Sequence, residues 1–226
     1  IDAIQTHSDS SEVQLLGLKA ILALITDYTD NKNHFINGGG AELIELIARE
    51  HMDDIILLEN TLWIILHLSS NNNEMKTILG EAGICDRVVN IVTVYNDKRL
   101  HCDIGCQCIA NLSTNHEANK MKFFTINTCE LLNSILIKYP TIPTIVYHVM
   151  AAITSLCTRS AQLKTRFGNM GICEKVLETG ERFCKDSAIA SGCCRAIAAL
   201  SGVEVNKVRF FHVFPLITEL MREFPT

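Results

Sequence analysis

The sequence predicts an all-α solenoid of stacked helical repeats, on three observations. One set of residues returns every 44 positions, helical apolar spacing fills each period, and glycines recur where the chain must turn between helices. Leucine falls at Leu24, Leu68, Leu112, Leu156 and Leu200, and isoleucine at Ile21, Ile65, Ile109, Ile153 and Ile197, each step 44 residues. Lysine follows at Lys32, Lys76, Lys120 and Lys164, then one residue early at Lys207. Bulky apolar residues share a slot at Phe35, Leu79, Phe123, Phe167 and Phe210. Gly39, Gly83 and Gly171 share another, filled by Asn127 and Phe214 in the other copies. Self-similarity at such a period is the signature of stacked units that bury one continuous core.

Inside one period the spacing predicts a short, a medium and a long helix. From Asn119, a short amphipathic segment runs from Lys120 to Ile126. A second covers Cys129 to Lys138, with Leu131, Leu132, Ile135 and Leu136 at helical intervals. After a break at Tyr139–Pro143, a longer segment runs from Thr144 to Cys157. The Gly slot lies between the first two helices, where a positive φ suits Gly and Asn.

The stretches Leu79-Gly-Glu-Ala-Gly-Ile-Cys-Asp-Arg-Val-Val and Cys108-Ile-Ala-Asn-Leu-Ser, followed by Asn119-Lys, resemble the armadillo repeat of catenins and importin-α proteins. The resemblance covers about Glu12 to Phe224 and implies a right-handed superhelix with three helices per repeat. In that register one repeat domain spans 1–226: a partial repeat at 1–30 that opens with a third helix (Glu12–Tyr28), repeats at 31–70, 75–114, 119–158 and 163–202, and a partial repeat at 206–226 with its first two helices only. The chain starts at Ile1 rather than Met, which leads us to expect a piece of a longer protein.

The resemblance also implies that third helices line a concave groove in which partners bind. The residues point to the same surface independently. One stripe of each third helix is apolar: Leu18, Ile21, Leu24; Leu62, Ile65, Leu68; Cys106, Ile109, Leu112; Met150, Ile153, Leu156; Cys194, Ile197, Leu200. That stripe is expected to be core. The neighbouring face varies from copy to copy: Leu15, Lys19, Ala23; Glu59, Trp63, His67; Asp103, Gln107, Asn111; Tyr147, Ala151, Ser155; Ser191, Arg195, Ala199. From it we take Lys19, Glu59, Trp63, His67, Asp103, Gln107, Asn111, Tyr147, Ser155 and Arg195 as candidate partner-binding residues. Trp and Arg are favoured anchors at binding hot spots. A large aromatic can equally pack between helices, but the equivalents of Trp63 (Lys19, Gln107, Ala151 and Arg195) are not core-like. In the slot where many armadillo proteins carry a groove asparagine, Asn111 alone matches, and a plain helix-surface role stands beside the binding one. Importin-α proteins pair a Trp with an Asn four residues on. Here that pair is split between Trp63–His67 and Gln107–Asn111.

Composition narrows the function classes. Acids outnumber bases 25 to 20, for a net charge of −5, and no run of Lys and Arg exceeds two, so nucleic acid is not an expected partner. The longest apolar stretch, Ile55 to Leu68, is interrupted by Glu59, Asn60 and His67, too short and polar for a membrane span. The ten cysteines largely fall in slots that other copies fill with Ala, Leu, Ile or Met, so they read as small core residues in a reducing compartment, the cytoplasm or alternatively the nucleus. His101, Cys102, Cys106 and Cys108 are the best metal candidates, but Cys106 belongs to the apolar stripe and no CxxC pair exists, so no metal is expected. Gly38-Gly39-Gly40 follows a helix and reads as a turn, with no phosphate-loop spacing. His101, His116 and His148 have no identifiable triad partner. The lysine slot reads as structural, its stem over apolar surface and its head in water. The expectation is therefore no enzyme, no cofactor, no small-molecule substrate, and a protein-interaction scaffold that holds a partner's peptide or helix. A regulatory solenoid attached to a catalytic or signalling domain and a nuclear-transport cargo receptor are the alternatives.

Overall fold

A computed structural model of the chain describes residues 1–8 and 10–224. Asp9, Pro225 and Thr226, which the predicted terminal partial repeats include, lie outside the described residues. Among these residues the chain is helical throughout, with no strand. Its contacts divide it into two compact units, Ile1–Ile126 and Asn127–Thr226.

The first unit holds α1 (Asp2–Thr6), α2 (Ser11–Ile25), α3 (Thr29–Asn37), α4 (Gly40–Glu50), α5 (Ile55–Ser69), α6 (Asn73–Glu81), α7 (Ile84–Val94), α8 (Arg99–Ser113) and α9 (Glu117–Thr125). The second holds α10 (Thr128–Lys138), α11 (Pro143–Cys157), α12 (Ala161–Asn169), α13 (Ile172–Arg182), α14 (Ser187–Leu200), α15 (Glu204–Lys207), a 3-10 turn at Val208–Phe210, and α16 (Val213–Glu223). Short, medium and long helices thus follow one another, as in α6, α7 and α8. α1 falls in the polar opening segment, where the sequence reading placed no helix. The opening third helix, expected over Glu12–Tyr28, ends earlier, at Ile25.

Local chemistry sets the boundaries. Gly39, Gly83 and Gly171 adopt φ of 87°, 85° and 75°, and Asn127 in the same slot φ of 58°. All four turn the chain from a first helix into a second, as the sequence predicts. The fifth copy departs: Phe214 lies inside α16. A second left-handed slot, Asp27, Asn71, Asn115 and Arg159, reverses the chain after each third helix (φ 53° to 64°). Side chains of Ser10, Asp54, Asn72, His116, Ser160 and Asp186 accept backbone N–H groups as N-caps. Such caps are worth about 1 kcal/mol each.

Third helices stack on one another within each unit: α2 on α5 and α5 on α8 in the first, α11 on α14 in the second. Leu62, Leu68, Cys106, Leu112, Met150, Leu156 and Leu200 of the predicted stripe are buried. Three sequence expectations are corrected. Leu24 is 60% exposed and Ile21 only partly buried, because α1 packs on the first half of α2, where Gln14 Nε2 donates to the Ile4 and His7 carbonyls and Ile4 lies against Gly17. Cys194 is exposed, at an open apolar cavity that it lines with Ile217, Leu220 and Met221 of α16. The lysine heads do not all lie in water. Lys76 is buried and its Nζ donates to the Thr114 carbonyl at 2.9 Å, capping the C-terminal end of α8. Lys120 is buried beside Glu117, and Lys164 Nζ lies against Gly202 just past α14. A cation at a helix C-terminus meets unpaired carbonyls and the negative end of the dipole.

Asparagines lock the repeats further. Asn119 Nδ2 donates to the carbonyls of Lys76 (2.9 Å) and Leu112 (3.1 Å). Asn206 Nδ2 does the same to Lys164 (2.8 Å) and Leu200 (3.0 Å). Each Asn fits because the facing residue one repeat earlier is glycine. A Cβ on Gly80 would overlap the Asn119 amide, and one on Gly168 the Asn206 amide.

Candidate functional site

In the first unit the mixed faces of α5 and α8 form two rows. Glu59, Trp63 and His67 lie on α5, and Asp103, Gln107 and Asn111 on α8. All six are partly exposed, while the apolar stripes beside them are buried. Since α5 and α8 pack together, the two rows adjoin. Lys19 is exposed on α2, the helix on the other side of α5. In the second unit Tyr147 and Ser155 are partly exposed on α11, and Arg195 is exposed on α14. The Tyr147 ring meets His148 edge-on at 5.1 Å, and Arg195 Nη1 donates to Ser191 Oγ at 2.8 Å.

The first unit's rows join an aromatic, a base, two carboxylates and two amides. The Trp63 and His67 rings lie 6.3 Å apart, tilted by 38°. Burial holds His67 below the ordinary imidazole range, Lys32 adds to that, and Asp27 opposes it. The ring is therefore neutral at neutral pH and able both to donate and to accept. Gln107 and Asn111 carry amides that pair with both N–H and C=O groups of an extended backbone. Two members were missed by the sequence reading. Ile56 is 53% and Leu100 44% exposed, each one turn before the carboxylate of its row. Their slot reads Glu12, Ile56, Leu100, Thr144, Ala188, and this variation between copies is the signal that could have found them.

The cysteine cluster supplies no comparable chemistry. Cys102, Cys106 and Cys108 are buried. The Cys108 thiol donates to the Leu62 carbonyl at 3.4 Å and the Cys102 thiol to the Asn96 carbonyl at 3.4 Å. His101 is also buried, its Nε2 donating to the Ile55 carbonyl at 3.1 Å. Burial pushes the thiols of Cys85, Cys129, Cys173 and Cys193 up to about 12, so they stay protonated and unreactive as nucleophiles at neutral pH. Among the described residues no helix is long and apolar enough to cross a membrane.

No protein-family profile matches the chain, and no curated protein sequence does. Solved structures do. A designed armadillo repeat protein, YIII(Dq)4CqI, superposes with a TM-score of 0.83 at 15% identity, covering 99% of this chain and 92% of its own. A second, YIII(Dq.V1)4CPAF in complex with the peptide (KR)4, gives 0.69 at 17% identity over 84% of this chain and 77% of its own. A structure concerning a phosphorylation switch in the interaction between cadherin and beta-catenin gives 0.53 at 13% identity, over 93% of this chain and 46% of its own. Identities this low speak to fold alone. The repeat register, the left-handed turns and these superpositions together make the chain an armadillo-type repeat solenoid.

Proposed function

We propose that the chain is a protein-interaction scaffold whose α5–α8 face binds an extended segment of a partner protein. The observation that carries this reading is the pair of adjoining rows, Glu59–Trp63–His67 and Asp103–Gln107–Asn111, partly exposed beside stripes that are wholly buried. The amides of Gln107 and Asn111 suit the partner's backbone. The two carboxylates favour Lys or Arg side chains, whose stems find Ile56, Leu100 and the Trp63 face. The likeness to a designed armadillo protein in complex with (KR)4 supports a basic segment. The reading rests on the first unit.

The test is fluorescence anisotropy with a labelled (KR)4 peptide at low and moderate salt. Binding is expected to weaken with salt, since it draws on two carboxylates. The double change Trp63→Ala, Asn111→Ala is expected to leave the melting temperature nearly unchanged and weaken binding by ~2 kcal/mol or more, the usual hot-spot magnitude. A double variant that unfolds would make these residues core. A stable variant that binds unchanged would place the binding surface elsewhere.

A further inference from the structure

One helix cap differs in kind from its equivalents. Asn72, His116 and Ser160 share a slot, and their side chains accept backbone N–H groups at the starts of α6, α9 and α12. Asn72 takes the Met75 N–H at 3.0 Å and Ser160 the Leu163 N–H at 3.4 Å, through oxygens that do not titrate near neutral pH. His116 takes the Asn119 N–H through Nδ1 at 3.3 Å. An imidazole nitrogen accepts only while it carries no proton.

The neighbours of His116 fix its tautomer. Thr77 of α6 donates its one hydroxyl hydrogen to the Asn73 carbonyl at 3.0 Å. In the 2.9 Å contact between Thr77 Oγ1 and His116 Nε2, the ring is therefore the donor. The neutral ring thus holds α6 through Nε2–H and α9 through the Nδ1 lone pair. Two cations act on it, Lys76 of α6 and Lys122 of α9, whose Nζ atoms donate to the Thr114 and Gly80 carbonyls. Glu117, the next residue, pairs with Lys120. Glu74 and Glu81 lie one turn to either side of Thr77 on α6, both exposed, and the last turn of α8 carries no charge. Burial first, and then Lys76, hold the His116 pKa below the ordinary imidazole value.

We propose that His116 is an acid-operated latch on the α6–α9 seam: a proton on Nδ1 turns the acceptor that caps α9 into a donor facing the Asn119 N–H, and the first turn of α9 opens while the rest of the unit stays folded. The opening carries Asn119 away from the Lys76 and Leu112 carbonyls that its side chain holds. Leu112 follows Asn111 of the α5–α8 face, so the latch acts at one end of that row. This last link rests on the binding reading; the latch itself does not, and its test reads α9 alone.

The test is amide hydrogen exchange of the full chain, resolved by NMR at pH 7.5 and 5.5 and expressed as protection factors, which remove the intrinsic pH dependence of exchange. The Met75 and Leu163 amides, capped by Asn72 and Ser160, are the internal references. Protection at Asn119 and Lys120 is expected to fall by up to about tenfold on acidification, the proton uptake of one imidazole of ordinary pKa in the open form, while both references hold. Imidazole nitrogen spectra at pH 7.5 are expected to show Nε2 protonated and Nδ1 bare. His116→Asn, which restores the cap of the Asn72 copy, is expected to make Asn119 protection independent of pH. Equal Asn119 protection at both pH values in the parent chain overturns the proposal, as does a loss shared equally by Met75 and Leu163, which would be global unfolding. A proton on Nδ1 at pH 7.5, or a pH dependence that survives in His116→Asn, overturns it too.

Discussion

Helices α2 and α14 carry the same slots and bury opposite ends of them. On α2, Leu18 is buried and Leu24 is 60% exposed; on α14, Leu200 is buried and Cys194 exposed. One apolar stripe therefore serves two interfaces. In the first unit the Cys108 thiol of α8 reaches the Leu62 carbonyl, and in the second Gly192 of α14 lies against Met150. A residue in such a slot is core only when the neighbour that covers it is present, which is the nearest-neighbour logic of repeat proteins.

The largest effect that sharpens this contrast comes from truncating one slot in two places. Leu112→Ala removes a fully buried side chain of α8 and is expected to cost roughly 2–5 kcal/mol through the cavity it leaves. Leu24→Ala, the same slot on α2, is expected to stay within about 0.5 kcal/mol of the parent, as exposed substitutions do. Urea denaturation measures both, and similar costs at the two positions would break the comparison.

The asparagine locks come next. Where the slot holds Asn119 or Asn206, the facing position holds Gly80 or Gly168; where it holds Met75 or Leu163, the corresponding positions are Ile36 and Phe124. Asn119→Ala strands two carbonyls and is expected to cost about 1–3 kcal/mol. Gly80→Ala presses a methyl into the Asn119 amide and is expected to cost about 1–3 kcal/mol by overpacking. Combined, the two are expected to cost less than their sum, since the Ala at 119 makes room for the methyl. Additive costs in a double-mutant cycle would show that the two positions do not share a contact.

The smallest effect concerns the slot that reads Ala23 on α2, His67 on α5 and Ala199 on α14. Burial, then Lys32, lowers the His67 pKa. The unfolded chain thus binds more protons, and stability is complete above the ordinary imidazole value of about 6.5 and falls as the pH drops through it. His116 adds to the same slope: burial and then Lys76 lower its pKa as well. His67→Asn is expected to flatten this acid-side loss slightly, the ring being partly exposed and screened. An unchanged slope in urea titrations across that range would remove His67 from the account.

Much of the fold was legible because it is local. The 44-residue period, the order of helix lengths and the left-handed turns at Gly39, Gly83, Asn127 and Gly171 follow from helical apolar spacing and from which residues tolerate positive φ. The mixed face of α5 and α8 was legible for a related reason: slots that vary between copies cannot all be core. Ile56 and Leu100 escaped because apolar residues at a helix start look like core until their exposure is known.

The sequence by itself determined the repeat class and the helical turns between its units, since each depends on residues a few positions apart. Tertiary structure alone decided which stripe positions are buried, where the lysine heads end, and that Asn119 needs a glycine at 80. Those outcomes rest on contacts between residues roughly one period apart, as in Lys76 to Thr114 and Asn119 to Lys76. The physical reason is that burial and hydrogen-bond satisfaction belong to a pair of surfaces. A single helix specifies only one of them.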